Sequence, residues 1–410
     1  MNVVIVNDFA YVDGGASQIA LGSAKGLARR GHCVTLFTGV GPVDEELSGV
    51  DGIKVICLQQ HDIVNDPIRV RAMINGLWNG KAAVEFERHI SKLNRTDTVV
   101  HVHTWTKALS SSVIRRALDQ GFAVVLTLHD YFSVCPAGGF FIHPTRQLCH
   151  LRPMSAACVS TNCDSRSYGH KLWRVGRQWI QSRAGHLPSH IKNVVSISAL
   201  SERVIAPYLA DDVRIHRVGN FIDLEREPAV NAGSNEMFSF AGRLAPEKGP
   251  ELLAECGASL SFPLQFIGDG PLKEKLVSQL PHAVFTGWVT QREVSAALRK
   301  SRALVLPSLW YETQGLVVSE AAAIGVPAIV PSTSAACEWV EDGVTGLIFK
   351  GGDATDLGRK IAYLRDKPEA ATTMGLSAYE RYWSSSMTAV RHCKQLETVY
   401  RQILAHTDRR

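Results

Sequence analysis

At 410 residues the chain is too long for one ordinary core and suggests two or three domains. Hydrophobic residues make up 45% and charged residues 20%, the balance of a soluble globular protein, and no apolar run is long enough to span a bilayer. A net charge of +5 permits contact with anionic lipid or phosphate ligands, requires neither, and gives no case for a nucleic-acid partner.

The opening Met1-Asn-Val-Val-Ile-Val-Asn-Asp8 lacks a basic leader and reads as a first strand, which predicts a cytoplasmic location. From Val3 onward, short β-branched runs alternate with helical patterns. Strands are expected at Val3–Val6, Val34–Phe37, Lys54–Leu58, Thr98–Val102, Val124–Leu128, Val194–Ile197 and Val213–Val218. Helical stretches such as Ser17–Arg30 and Ile68–Leu93 lie between them. A polar stretch from Asp223 to Glu236 interrupts the alternation and reads as a linker. Strands resume at Met237–Ala241, Leu264–Ile267, Val284–Thr286, Ala303–Leu306, Ala328–Val330 and Gly346–Phe349. This alternation predicts an α/β fold of two doubly wound, Rossmann-like domains, residues 1–225 and 226–383, facing a central cleft. The helical run from Ser384 to Leu404 follows the second sheet, and residues 384–410 are expected to pack back across the first domain.

The stretch from Pro307 to Pro327 carries the most chemistry. Pro307 and Ser308 end a strand, a loop carries Glu312, and Gly315–Ile324 reads as a helix closed by Gly325 and Pro327. The amides of Gln314, Gly315, Leu316 and Val317 would then be the unpaired donors of a helix start, a seat for phosphate. Glu312 and Glu320 flank that seat, and each could accept hydrogen bonds from sugar hydroxyls. An amphipathic helix with one exposed and one capping Glu would give the same spacing.

Three further loops follow strand ends. Arg243 and Lys248 share one loop and could reach a common anion, unless they are two solvated cations. Gly14-Gly15 would let a backbone approach a phosphate or sugar closely, although an ordinary turn into a helix needs no more. His129-Asp130 follows the strand at Val124–Leu128, where a His could bond a sugar or be held by a neighbouring carbonyl. His101 and His103 flank Val102 at another strand end and rank lower.

Taken together these pieces resemble glycosyltransferase family 4, retaining sugar transferases of the GT-B double-Rossmann architecture. The matching residues are Gly14-Gly15, Arg29-Arg-Gly-His32, His129-Asp130, Gly242-Arg243-Leu-x-x-Glu-Lys248-Gly249 and Gly268-Asp-Gly-Pro271. Glu312-x7-Glu320, followed by Ala-x-x-x-Gly-x-Pro, and Glu341-Asp-Gly-x-x-Gly346 complete the set. The resemblance implies transfer of a sugar from a UDP- or GDP-linked donor to a glycan or lipid-linked acceptor, in cell-envelope or exopolysaccharide synthesis. Arg243 and Lys248 would hold the donor diphosphate, assisted by the amides around Gly315. Glu320 would bind the ribose, Glu312 the transferred sugar, and Trp288-Val289 would contact the base. Gly14 and Gly15 would approach the donor phosphate or the acceptor, and His129 would lie beside the sugar. Positive potential from Arg243, Lys248 and the helix start would stabilise the leaving diphosphate in place of a metal ion, so no catalytic cofactor is expected. Two positions depart from the family's pattern: Thr313-Gln314 stands where an aromatic is common, and Asn220-Phe221 replaces Asn-Gly before the linker. A nucleotide-sugar epimerase and a catalytically silent nucleotide-sugar-binding protein are the rival readings.

Cys135, Cys149, Cys158 and Cys163 cluster in a loop-rich insertion at 131–170 that resembles a branch of the same family. In a reducing compartment they suit structural zinc better than disulfides, but no Cys-x-x-Cys occurs and free thiols are the default reading. Residues 166–192 hold Lys171, Arg174, Arg177 and Arg183 with no acidic residue. A helix there would set Leu172, Val175 and Trp179 beside a basic face, suited either to the inner face of an anionic membrane or to covering the first core.

Overall fold

The computed structural model describes residues 1–260 and 262–407. Its first sheet is built from β1 (Asn2–Phe9), β2 (Cys33–Val40), β3 (Ile53–Cys57), β4 (Thr98–Val102), β5 (Ala123–Thr127), β6 (Asn193–Ser196) and β7 (Arg214–Arg217). These strands are parallel and run in the order β3-β2-β1-β4-β5-β6-β7. The second sheet comprises β8 (Met237–Ala241), β9 (Leu264–Ile267), β10 (Val284–Gly287), β11 (Ser301–Val305), β12 (Ala328–Pro331) and β13 (Gly346–Phe349). It too is parallel, in the order β10-β9-β8-β11-β12-β13. Both orders reverse beside a sheet's first strand, β1 or β8, and that is where loops part and leave a crevice.

Continuous β-branched runs suit strands covered on both faces. Val4, Val6, Val100 and Val102 pack with Phe86 and Val113 on one side of the first sheet. Val3, Ile5 and Val99 pack on the other side, beneath α1 (Gly15–Ala28). The expected helix over Ile68–Leu93 is instead two helices, α2 (Arg69–Leu77) and α3 (Gly80–Ile90). Trp78 between them is extended, and Asn79 caps α3 by accepting from Ala82 N. The buried Asn79 amide also bonds Ala108 O and Gln60, so tertiary contacts break a run whose periodicity is unbroken.

Between β5 and β6 the chain forms a small hairpin (Phe141–Ile142 with Gln147–Leu148) and then α4 (Tyr168–Arg183). The burial of α4 is unusual. Lys171, Arg177, Gln178 and Gln181 face inward, while Leu172 and Trp179 stand 45% and 58% exposed. Most of the inward polar groups are satisfied by loop carbonyls: Arg177 donates to Thr106 O and Pro136 O, and Gln178 to Ser133 O.

Of the two readings of the cysteine cluster, zinc is the one the geometry does not support. Among the described residues no group of three or more His, Cys, Asp or Glu is placed to hold a metal ion, and Cys135, Cys149, Cys158 and Cys163 are free thiols. Lys171, 1% exposed, lies among them and donates to Cys158 Sγ at 3.5 Å. A fixed ammonium at that point opposes a divalent cation.

No strand or helix lies between Arg217 and the turn at Ala232–Ser234. The second sheet carries α5 (Leu316–Ile324) and α6 (Pro368–Ser384). The run from Ser384 to Leu404 divides: Ser384 ends α6, and α7 (Ala389–Thr407) begins five residues later. Cys393, Leu396, Val399, Tyr400 and Ile403 of α7 share one core with Ala20, Leu21, Ala24 and Leu27 of α1. Their three- and four-residue spacing is that of a single helix face.

Candidate active site

α5 begins in the crevice of the second sheet. Gly315, its N-cap, has φ 75° and ψ 55°, a left-handed conformation that favours glycine, and it offers no capping side chain. The first-turn amides are therefore left to loops, solvent or ligand. Just ahead of this start lies Glu312, 9% exposed. Lys248 Nζ donates to both of its carboxylate oxygens, at 2.9 and 2.7 Å, while Trp310 Nε1 and Ser308 Oγ add bonds of 3.0 and 3.1 Å. Burial pushes the Glu312 carboxyl up, but Lys248 and these hydrogen bonds outweigh it and hold the group below the usual carboxylate range.

Lys248 reaches Glu312 because its own loop is tightly placed. Gly249 follows with φ 67°, and a Cβ there would lie 2.1 Å from Pro307 O, so any side chain would push the two loops apart. Arg243 of the same loop does not share an anion with Lys248 in this structure. Its guanidinium pairs with Glu247, which is 3% exposed. Neither is a solvated free cation: each already has a carboxylate partner, and an incoming anion must compete for it.

Glu320 lies farther along α5. Its Oε1 accepts from Gln291 Nε2 at 2.7 Å, and Gln291 Oε1 accepts from Gln18 Nε2 of α1 at 2.6 Å. Burial raises the Glu320 carboxyl to about 7. Trp288 is 78% exposed, and Val289 packs against the core beneath α5.

The first sheet supplies the facing wall. Gly14 caps α1, and a Cβ on Gly15 would lie 3.6 Å from Leu316 Cδ1, so the starts of α1 and α5 approach each other across the cleft. His129 follows β5, and its carbonyl accepts from Thr313 Oγ1 at 3.0 Å. Its Nε2 lies 2.9 Å from His103 Nδ1, and burial lowers His129 to about 3, so the ring is neutral. His101 and His103, ranked lower from sequence, prove to be part of one buried array. His101 bonds Thr127 Oγ1 at 2.6 Å and Tyr400 OH at 2.5 Å.

Gly14, Gly15, His129, Lys248, Glu312, Gln314, Gly315, Leu316, Val317 and Glu320 therefore belong to elements that meet along one cleft. Arg243 stands at its edge beside Glu247, and Trp288 projects into solvent. Sequence reasoning gave no role to Glu247, Trp310 or Gln291 and ranked His103 too low. Glu247 is four residues beyond Arg243, a spacing that signals an ion pair.

A family model described as Glycosyltransferase Family 4 matches residues 13–226, and one described as Glycosyl transferases group 1 matches residues 221–381. The D-inositol 3-phosphate glycosyltransferase of Mycobacterium sp. (strain KMS) is 25% identical over 398 residues, covering 90% of this chain and 81% of that protein. A GDP-mannose-dependent alpha-mannosyltransferase of Corynebacterium glutamicum is 29% identical over 178 residues, 43% of this chain and only 42% of that relative's own length. Among solved structures, sucrose-phosphate synthase from Thermosynechococcus elongatus is similar with a TM-score of 0.73 and 18% identity over 99% of both chains. Anabaena HepE in complex with UDP and glucose has a TM-score of 0.69 at 15% identity, over 98% of this chain and all of that one. At such identities these structures speak to fold, and the fold is GT-B. The first family model alone spans more than half of the sequence, and the chain belongs to glycosyltransferase family 4.

Proposed function

We propose that this chain is a retaining glycosyltransferase that moves a sugar from a UDP- or GDP-linked donor to a glycan or lipid-linked saccharide. The observation that carries the reading is the Lys248–Glu312 pair beside the uncapped start of α5. A diphosphate seated there would take the Lys248 ammonium and the free amides of the helix, with Arg243 swinging from Glu247 to its outer side. Glu312, released from Lys248, would accept hydrogen bonds from the transferred sugar, and Glu320 would exchange Gln291 for the ribose. The acceptor oxygen attacks the anomeric carbon on the face from which the diphosphate departs. The carbon–phosphate-oxygen bond breaks, and the acceptor's proton passes to a phosphate oxygen. Charge grows on the leaving group, where fixed positive potential acts most strongly.

The names of similar proteins favour both nucleotides: one mannosyltransferase is GDP-mannose-dependent, and HepE was solved with UDP and glucose. Exposed apolar side chains on the first domain favour an acceptor at an anionic membrane. Val70, Met73 and Ile74 of α2 join Leu172 and Trp179 of α4, with Arg69 and Arg183 on the same two helices. No described helix is long and apolar enough to cross a membrane.

Thermal-shift titration with UDP, GDP, UDP-glucose and GDP-mannose tests the donor site. A ligand at about a hundred times its Kd adds about 2.7 kcal/mol to native stability. One nucleotide series is expected to raise the melting point of the wild type, and Lys248→Ala to abolish that rise. An undiminished rise in Lys248→Ala would remove the assignment.

A further inference from the structure

Gln314 carries a feature the donor site leaves unexplained. It is 3% exposed, yet neither its Oε1 nor its Nε2 has a hydrogen-bond partner among the described residues. A buried amide ordinarily finds partners, and each unmet group carries a desolvation cost. An apolar side chain of the same length would avoid that cost entirely. The backbone on either side is fixed: Thr313 is tied to the His129 carbonyl, and Gly315 takes the left-handed turn into α5.

Its surroundings show where it is aimed. A Cβ on Gly219 would lie 3.9 Å from Gln314 Nε2, so the amide lies against the segment that leaves the first sheet. The next residue, Asn220, is 6% exposed, and its Oδ1 also has no partner among the described residues. Unmet polar atoms thus stand on both walls at the Glu312 end of α5. Glu320, at the other end, is bonded to Gln291.

We propose that the Gln314 side chain is a specificity-determining group that reads hydroxyls on the transferred sugar, Nε2–H donating to one and Oε1 accepting from it or from its neighbour. The proposal rests on the donor-site reading above. A hydroxyl both donates and accepts, so a neutral sugar satisfies both halves of the amide. A carboxylate or phosphate would accept from Nε2 but would face Oε1 with a second negative oxygen. The position two residues from Glu312, and beside the loop carrying His129, selects the sugar over the nucleotide.

The test compares wild type with Gln314→Met and Gln314→Glu in thermal shifts and affinities for UDP, UDP-glucose, GDP, GDP-mannose and deoxy analogues of the sugar. In wild type the sugar should add affinity beyond the nucleoside diphosphate, and loss of one hydroxyl should weaken binding about tenfold or more. Gln314→Met should melt no lower than wild type without ligand, keep the response to the nucleoside diphosphate, and lose discrimination between sugar and deoxy sugar. Gln314→Glu, which keeps an acceptor but loses the donor, should also lose affinity for the sugar. Full hydroxyl discrimination in Gln314→Met would overturn the proposal, as would a lower ligand-free melting point, which would show the amide already satisfied by protein or solvent. Failure of wild type to respond to any nucleotide is a different result: it would overturn the donor site itself.

Discussion

At the scale of single residues, the cleft holds its charges in reserve. Lys248 and Glu312 neutralise each other and Arg243 is held by Glu247, so a charged site is assembled without leaving a buried charge unpaired. Glu320 is handled differently: no cation is bonded to it, and burial alone lifts its carboxyl from the usual 4.5 to about 7. Between those two pH values the folded protein keeps a proton that the unfolded chain releases. Stability therefore falls as pH rises through that window, by no more than about 3 kcal/mol. Glu320→Gln keeps an oxygen for Gln291 Nε2 and cannot ionise. Its melting point should hold steady from pH 5 to pH 8 relative to wild type, and calorimetry at several pH values measures the difference. A variant whose melting point falls by the same amount would show that Glu320 titrates normally.

At the scale of elements, what could be read depended on how local the cause was. The bounds of α5 were legible because Gly315, Gly325 and Pro327 act on their own backbone. The strands were legible because β-branched runs covered on both faces need no partner to be recognised. The break at Trp78-Asn79 was not, since Asn79 is drawn in by Gln60 and Ala108 from other elements. His103 was undervalued for a similar reason: it meets His129 only because β4 and β5 pair in register. The inverted burial of α4 was equally hidden, because its inward Arg177 answers to loop carbonyls and Lys171 to a thiol. Within the site, Lys248 and Glu312 were separable as motifs, but their pairing across 64 residues belongs to the fold. α7 shows how far such a non-local tie can act. Its Glu397 accepts from Arg30 Nε at 2.5 Å and lies 2.9 Å from His32 Nε2, at the end of α1. Its carboxyl is held down to about 2, chiefly by the Arg30 hydrogen bond against burial, with His32 adding to it. Glu397→Ala should therefore destabilise by about 2–3 kcal/mol at neutral pH, below the cost of breaking a fully buried pair because Arg30 keeps some access to water. The deficit should vanish as wild type is acidified from about pH 4.5 toward 2, where its own carboxylate takes up a proton. Urea melts of both proteins at neutral and acid pH measure it.

At the scale of the whole molecule, polar contacts cross between the two sheets' halves beside apolar ones such as Tyr311 against the first core. Gln18 meets Gln291, Thr313 meets the His129 carbonyl, and Arg146 pairs with Glu251 at 2.7 Å. The Glu338 carboxylate accepts from two backbone amides across the divide, Ala199 N at 2.9 Å and Leu200 N at 2.7 Å. Polar contacts of this kind are individually weak beside water, so a ligand that adds bonds across the divide can bias the arrangement. Gln291 makes the link direct. Gln291 belongs to the second half and bonds both Gln18 of the first half and Glu320 beside it, so a group that displaced Gln291 from Glu320 would loosen the support of that tie. Glu338→Ala removes a tie that no ligand replaces, leaves the cleft residues untouched, and should shift the free protein toward open forms. Small-angle scattering should report a larger radius of gyration for the ligand-free variant than for wild type, and saturating nucleotide sugar should bring the two together. Equal radii without ligand would mean that the remaining contacts suffice to keep the halves closed.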